Sequence, residues 1–195
     1  MSEEFASASA DLKAWMLLHR TRDLAFRCED RVVGEFGLTA EQYTTLLAMK
    51  CLDDPIRPTD IGQWVGHKVN TVSMMVDRMV KAGLVGRVRD LPDRREVRLV
   101  ITKKGEQAFK PATAAACQLM KQILSPLTHE DKLTLIRLLD MLREKALEPA
   151  GPEVDIRERE TCETRDTADM MKRLREYVSV STPDAKPQRG QKRKR

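Results

Sequence analysis

The chain has 195 residues, enough for one domain with a core plus an appendage, and its 4% aromatic, 33% charged and 41% hydrophobic content describes a helix-rich globular protein with a core of Leu, Val, Ile, Ala and Met. No apolar run approaches the ~18 residues a bilayer crossing demands, and the N-terminal stretch starts acidic and is interrupted by Asp11 and Lys13, unlike a secretory leader; the expected compartment is the cytoplasm, with no membrane partner. The formal charge of +5 is unevenly spread: residues 57–104 hold 11 Lys and Arg against 5 Asp and Glu, whereas residues 1–56 hold 6 against 10 and residues 105–150 hold 6 against 6, so the middle carries either a footprint for a polyanion or an ordinary solvated face.

From Ala10 to about Val33 the apolar positions Ala14, Leu17, Leu18, Thr21, Leu24, Ala25, Cys28 and Val32 recur at steps of three and four, one stripe of a long helix that wants a partner helix. A second helix starts at Thr39, which can cap with Gln42 three residues on while Leu38 staples onto Tyr43; its inner face is Tyr43, Leu46, Leu47 and Cys51. Pro55 and Pro58 make "DDPIRP" a loop. "TDIGQWVG" then gives two helical turns with Ile61 and Val65 inward, closed by Gly66. "VNTVSMMVDRMVKAG" follows, with Val72, Met75, Val76 and Met79 on one face, Asn70, Thr71, Ser73, Met74, Asp77, Arg78 and Lys81 on the other, and Gly83 at its end.

Two short helices joined by a tight glycine turn have the layout of a helix-turn-helix, the second helix being the reader. Small polar residues at its start let the backbone approach a major groove and still offer donors and acceptors to base edges. The alternative is an αα-hairpin in an ordinary bundle, with those residues merely facing water. "LVGRVRD" and "EVRLVIT" next alternate with the period of half-buried strands through Val85, Val88, Val97 and Leu99, and "LPDRR" joins them. A hairpin directly after a reader helix is a wing. Arginine suits a narrow minor groove, whose negative potential attracts a guanidinium without a base-specific bond. Arg95 is the expected groove contact, Arg94 and Arg98 are assigned to phosphates or the wing's own stability, and Asp93 is expected to hold Arg95 in place.

The segment Thr59–Gly105 resembles the winged helix-turn-helix of the multiple antibiotic resistance regulator (MarR) family of bacterial and archaeal transcription factors. The likeness rests on the wing signature D-x-R-x-x-x-V/L-x-L-T, met by Asp93, Arg95 and Thr102 with Leu99 and Ile101 at the apolar positions, and on the run "MVDRMVKAGLVGRVRDLPDRR"; in element order it extends over residues 10–147. The resemblance implies a mainly α fold with a small β-hairpin wing, flanked by long dimerisation helices. It also implies a homodimer through the first and last helices, a palindromic double-stranded DNA operator, and repression relieved by a small-molecule effector. The DNA-contacting set is then Lys68, Asn70, Thr71, Ser73, Met74, Arg78, Arg94, Arg95 and Arg98. Two positions depart from the family pattern: Lys68 stands where a Ser-type cap is usual, and Met74 where a polar or basic reader is usual.

Beyond the hairpin, the chain breaks at Ser125-Pro126 and restarts with Thr128 as a cap and Asp131 three residues later. Leu133, Ile136, Leu138, Leu139 and Leu142 give the last helix more apolar surface than a lone winged helix buries, which points to a partner chain. The expected organisation is a dimer-forming domain over residues 1–148, with its DNA-binding core at 38–105, and a charged, flexible tail at 149–195. A short amphipathic helix through Met170, Leu174 and Tyr177 fits within the tail. Its basic end "PQRGQKRKR" either adds nonspecific attraction to phosphates or merely solubilises.

Rival functions find less support. No Gly-rich phosphate loop, G-x-S-x-G or clustered acid and base occurs, so no enzyme and no cofactor is expected. Cys28, Cys51, Cys117 and Cys162 form no C-x-x-C pair and the three histidines are scattered, which argues against a metal site or a disulfide framework. A thiol-based redox sensor on the same scaffold would use Cys28 or Cys51, though the charges around Cys28 cancel and structural burial is the better account. A winged helix that binds only protein leaves the wing arginines unexplained.

Overall fold

In the computed structural model, which describes residues 3–90, 97–150 and 172–174, the chain runs α1 (Glu3–Gly34), α2 (Ala40–Cys51), α3 (Pro58–Val65), α4 (Val69–Lys81), β1 (Val85–Val88), β2 (Arg98–Ile101), α5 (Lys103–Ile123) and α6 (His129–Ala150), with a helical turn at residues 172–174. The strands pair antiparallel from Val85↔Ile101 to Val88↔Arg98. This is a mainly helical winged helix-turn-helix, the class read from the sequence. Both strands are shorter than their alternating patterns, because backbone pairing stops at Val88 and Arg98. No helix among the described residues is long and apolar enough to cross a membrane.

Local chemistry starts and stops these helices. The Thr39 hydroxyl accepts from the Gln42 backbone N–H at 3.2 Å and the Gln42 side chain accepts from the Thr39 N–H at 3.0 Å, a complete capping box for α2. Asp30, reaching over from α1, accepts from the Ala40 N–H at 2.8 Å and adds a carboxylate at the same positive helix end. Helix α3 places Pro58 at its first turn, and the Asp60 carboxylate accepts from the Arg57 N–H at 2.7 Å. It ends at Gly66, whose φ of 71° is left-handed, so the chain turns at once into α4. At α6 the Asp131 carboxylate accepts from the Thr128 N–H at 2.9 Å and the Thr128 hydroxyl at 2.6 Å; these bonds hold the Asp131 carboxyl below its ordinary range.

Helix α2 is enclosed on more sides than its apolar stripe implies. Tyr43 and Leu46 are buried as read from the sequence, but so are Ala40, Thr45, Ala48 and Met49, since α1, α3, α5 and β2 all pack against it. The Thr45 hydroxyl escapes an unpaired burial by donating to the Glu41 carbonyl at 2.8 Å. Tyr43 stacks on Phe109 of α5 with ring centroids 5.5 Å apart, and the Lys50 ammonium meets the Glu106 carboxylate at 2.6 Å. The long α1 stripe behaves differently. Only its last turns reach this core, through Val33, while Leu12, Trp15, Leu17, Leu18, Leu24 and Phe26 stay exposed in the single chain.

One junction fixes the hairpin to the helices. The Thr102 hydroxyl lies 2.6 Å from the Gly83 carbonyl, to which it donates, and accepts from the Gly105 N–H at 3.0 Å, so it ties the end of α4 to the start of α5. The Lys104 ammonium donates to the last-turn carbonyl of Ala82 at 2.7 Å. On its other edge β2 is held by the Leu99 N–H, which donates to the Ile56 carbonyl at 2.8 Å. The backbones meet so closely that a Cβ on Gly105 would lie 2.2 Å from the Leu84 carbonyl oxygen and 2.8 Å from Ile101 Cγ2. Gly105→Ala is therefore expected to lower stability by about 1–3 kcal/mol, the usual cost of overpacking, read as a reduced urea midpoint with unchanged slope.

Candidate nucleic-acid interface

Helix α4 buries Val72, Val76 and Met79 completely, and this inner seam aims the opposite face outward. Asn70, Met74, Asp77 and Lys81, spaced by four, three and four, form its central outward line, with Thr71 and Arg78 beside them; all six are exposed, and Ser73 is half-buried. Lys68 is the N-cap residue and makes no side-chain capping bond, so the first turn of α4 leaves its N–H groups without that partner, as the departure at this position foretells. Alone among the outward residues Asp77 is acidic, and the Arg87 guanidinium of β1 meets its carboxylate at 2.7 Å. That pair removes a charge that would repel phosphate.

Arg98 stands in the last pair of the ladder, beside the hairpin tip. Its Nε and Nη2 donate to the two oxygens of Asp90 at 2.7 and 2.6 Å, a forked pair where the two strands leave the ladder for the tip, and its Nη1 lies 3.5 Å from Asp54 Oδ2 on the α2–α3 loop. The Asp90 carboxyl is held below its ordinary range by the Arg98 hydrogen bonds, and Arg98 is raised in turn by those same bonds. Asp54, Asp90 and Arg87 were not singled out in the sequence. The ladder register could have found Asp90, because Arg98 faces Val88 and a diagonal neighbour two residues on lies within reach of a long side chain. Asp93, Arg94 and Arg95 lie outside the described residues.

Behind α4, Phe26, Glu41, Thr44, Thr45, Val65, His67 and Met75 line a cavity of about 120 Å³ between α1, α2 and the helix-turn-helix. The Thr45 hydroxyl is 3.3 Å from Met75 Sδ, so this wall rests directly on the inner side of α4. Deeper in the core, burial pushes the Tyr43 hydroxyl up to about 12 against the opposing pull of a Thr113 hydrogen bond. Cys28 and Cys51 are half-buried thiols, as is Cys117, and Cys162 lies outside the described residues. Among the described residues no group of three or more His, Cys, Asp or Glu is placed to hold a metal ion.

Residues 36–96, from the end of α1 through the helix-turn-helix to the hairpin, match the model of the MarR family. The chain is also similar to the HTH-type transcriptional repressor MdtR of Bacillus subtilis (strain 168), 27% identical over 110 residues that make up 56% of this chain and 70% of that one. Over its helix-turn-helix segment the chain is thus similar to the MarR family. Solved MarR-type structures share its fold. The organohalide-sensing RdhR transcriptional regulator, in its 2,4-dichlorophenol-bound form, superimposes with a TM-score of 0.64 at 24% identity over 74% of this chain and 86% of that one. A mutant of MarR from E. coli complexed with operator DNA gives 0.61 at 22% identity over 68% of this chain and 95% of that one.

Two outcomes follow for the Arg98–Asp90 pair. Asp90, with its carboxyl depressed in the folded state, contributes stability that is complete above the ordinary aspartate value of 3.8 and is lost as pH falls through the depressed one. Asp90→Asn should accordingly melt below wild type at neutral pH, and the gap should close in acid, as thermal melts across pH will show. Because Arg98 is spent on Asp90 and Asp54, Arg98→Ala should loosen the wing while leaving the salt slope of DNA binding unchanged; a lost phosphate contact would reduce that slope by about one.

Proposed function

We propose that the protein is a dimeric, sequence-specific regulator of transcription that binds double-stranded DNA with α4 in the major groove and the wing beside it. Its simplest mode is repression relieved by a small-molecule effector. The observation that carries this reading is the outward face of α4: small polar residues over the first turns, Arg78 and Lys81 flanking them, and a single acid already neutralised by Arg87. Such a face presents donors and acceptors to base edges without a net charge that opposes phosphate. Lys68 and Arg78 are assigned to the backbone, and Asn70, Thr71, Ser73 and Met74 to base edges. Arg95 is assigned to the minor groove with Asp93 as its support, and Arg94 to phosphate.

The dimer reading rests on α1 and α6. Leu17 and Leu24 on one helix and Leu135, Ile136, Leu139 and Leu142 on the other are exposed, more apolar surface than an isolated chain leaves in water. A second copy covering both helices forms a two-fold assembly with two reader helices. The effector reading rests on the cavity behind α4. At about 120 Å³ it is close to the roughly 150 Å³ that accommodates benzene in an apolar protein cavity, so a compound of one aromatic ring suits it. Swelling against Met75 and His67 would move the reader. The same compartment expected from the sequence, the cytoplasm, is where such a regulator meets DNA.

Selection of binding sites from random duplexes, followed by anisotropy titration and sedimentation, tests the reading. A dimer at micromolar concentration and a palindromic site with half-sites about one helical turn apart are expected; a monomer, or a footprint over a single half-site, overturns it. Arg95→Ala should cost roughly 1–3 kcal/mol on the operator and relax specificity where it reads. Asp93→Ala should weaken operator binding although it removes a negative charge, whereas unsupported electrostatics expects tighter binding.

A further inference from the structure

Among the residues that α4 turns outward, Met74 is anomalous. It is 57% exposed, it lies on the central line of the face, and it follows Asn70 by one helical turn. Val69, on the first turn of the same helix, is 47% exposed. Among the described residues both side chains stand open to solvent, and neither belongs to the apolar faces of α1 and α6. A protein partner seated on Met74 would also have to bury Asn70, Arg78 and Lys81, which share its face. A major groove asks for no such burial: it offers phosphates to the cations and, in the same trough, one apolar group, the C5-methyl of thymine.

Resting on the reading of α4 as a DNA reader, we propose that Met74 is a specificity residue that selects a thymine in each half-site by burying its C5-methyl group, with Val69 extending the apolar contact on the first turn. The thioether suits this use, because it is long, unbranched and able to adapt to a methyl whose position varies with local DNA shape. Asn70, one turn earlier on the same line, presents an amide that bonds an adenine through N6 and N7. The pair therefore favours a half-site in which A·T pairs lie under the start of α4. A polar reader at position 74 would choose by hydrogen bonds; Met74 chooses by hydrophobic burial, which makes the preference insensitive to salt.

The test leaves the protein untouched. An operator selected from random duplexes is resynthesised with uracil in place of thymine, one position per half-site at a time; uracil pairs as thymine does and lacks only the methyl. One position in each half-site should then bind about fourfold more weakly, the worth of one buried methyl, and about fifteenfold more weakly with both half-sites exchanged, because separated positions add. Met74→Gln, which keeps length and helix propensity at an exposed site, should bind the thymine and uracil operators equally while retaining its urea midpoint. Indifference to uracil at every thymine, an operator without thymine in its half-sites, or a sensitive position that stays sensitive in Met74→Gln overturns the methyl reading and leaves the regulator reading standing. Selection that yields no preferred sequence overturns both.

Discussion

The hydroxyl of Thr102 joins the end of the reader helix to the start of α5, and most of the molecule's geometry passes through that bond. Helix α5 packs on α1 and α2, and α4 rests on the core through Val72, Val76 and Met79, so the Thr102 link adds a direct tie between α4 and the helical frame. Side-chain caps usually stabilise one helix. Here the cap of α5 also satisfies the chain leaving α4, so an error in the wing's second strand is passed directly to the reader.

Much of this was legible in the sequence wherever the determining partners lie within a few residues of one another. The Thr39/Gln42 and Thr128/Asp131 boxes, the left-handed Gly66 and the inner seam of α4 all depend on spacings of one turn, and each is present. Contacts between distant segments were not legible. Asp30 capping α2, Asp54 bracing Arg98 across the loop, and Lys104 closing α4 each require the fold before their partners can be named. The burial of α2 was underestimated for the same reason, since a stripe reveals one neighbouring face and α2 has several.

The electrostatics of the middle segment show why a count of charges is a poor guide to a surface. Residues 57–104 carry a clear basic excess, yet among the described residues Arg87 is engaged with Asp77, Arg98 with Asp90 and Asp54, and Lys104 with the Ala82 carbonyl. They shape the site. The exposed Lys68, Arg78, Lys81, Arg89 and Lys103 are the described cations of the segment left facing solvent around the reader and the wing. The strongest of these internal ties is the forked Arg98 guanidinium, whose two parallel bonds to Asp90 match the planar geometry of a carboxylate.

The contact between Gly105 and the Leu84 carbonyl has a genetic consequence. Every missense change that one base substitution makes in a glycine codon adds a Cβ, and at this position a Cβ has nowhere to go unless the backbone moves. Unlike Gly34, where an added Cβ meets nothing within 4 Å, position 105 has no conservative neighbour in the code. In a population of random mutants selected for loss of regulation, codon 105 should be hit by any of several different amino acids, whereas the surface codons around it would be represented only by their more drastic replacements.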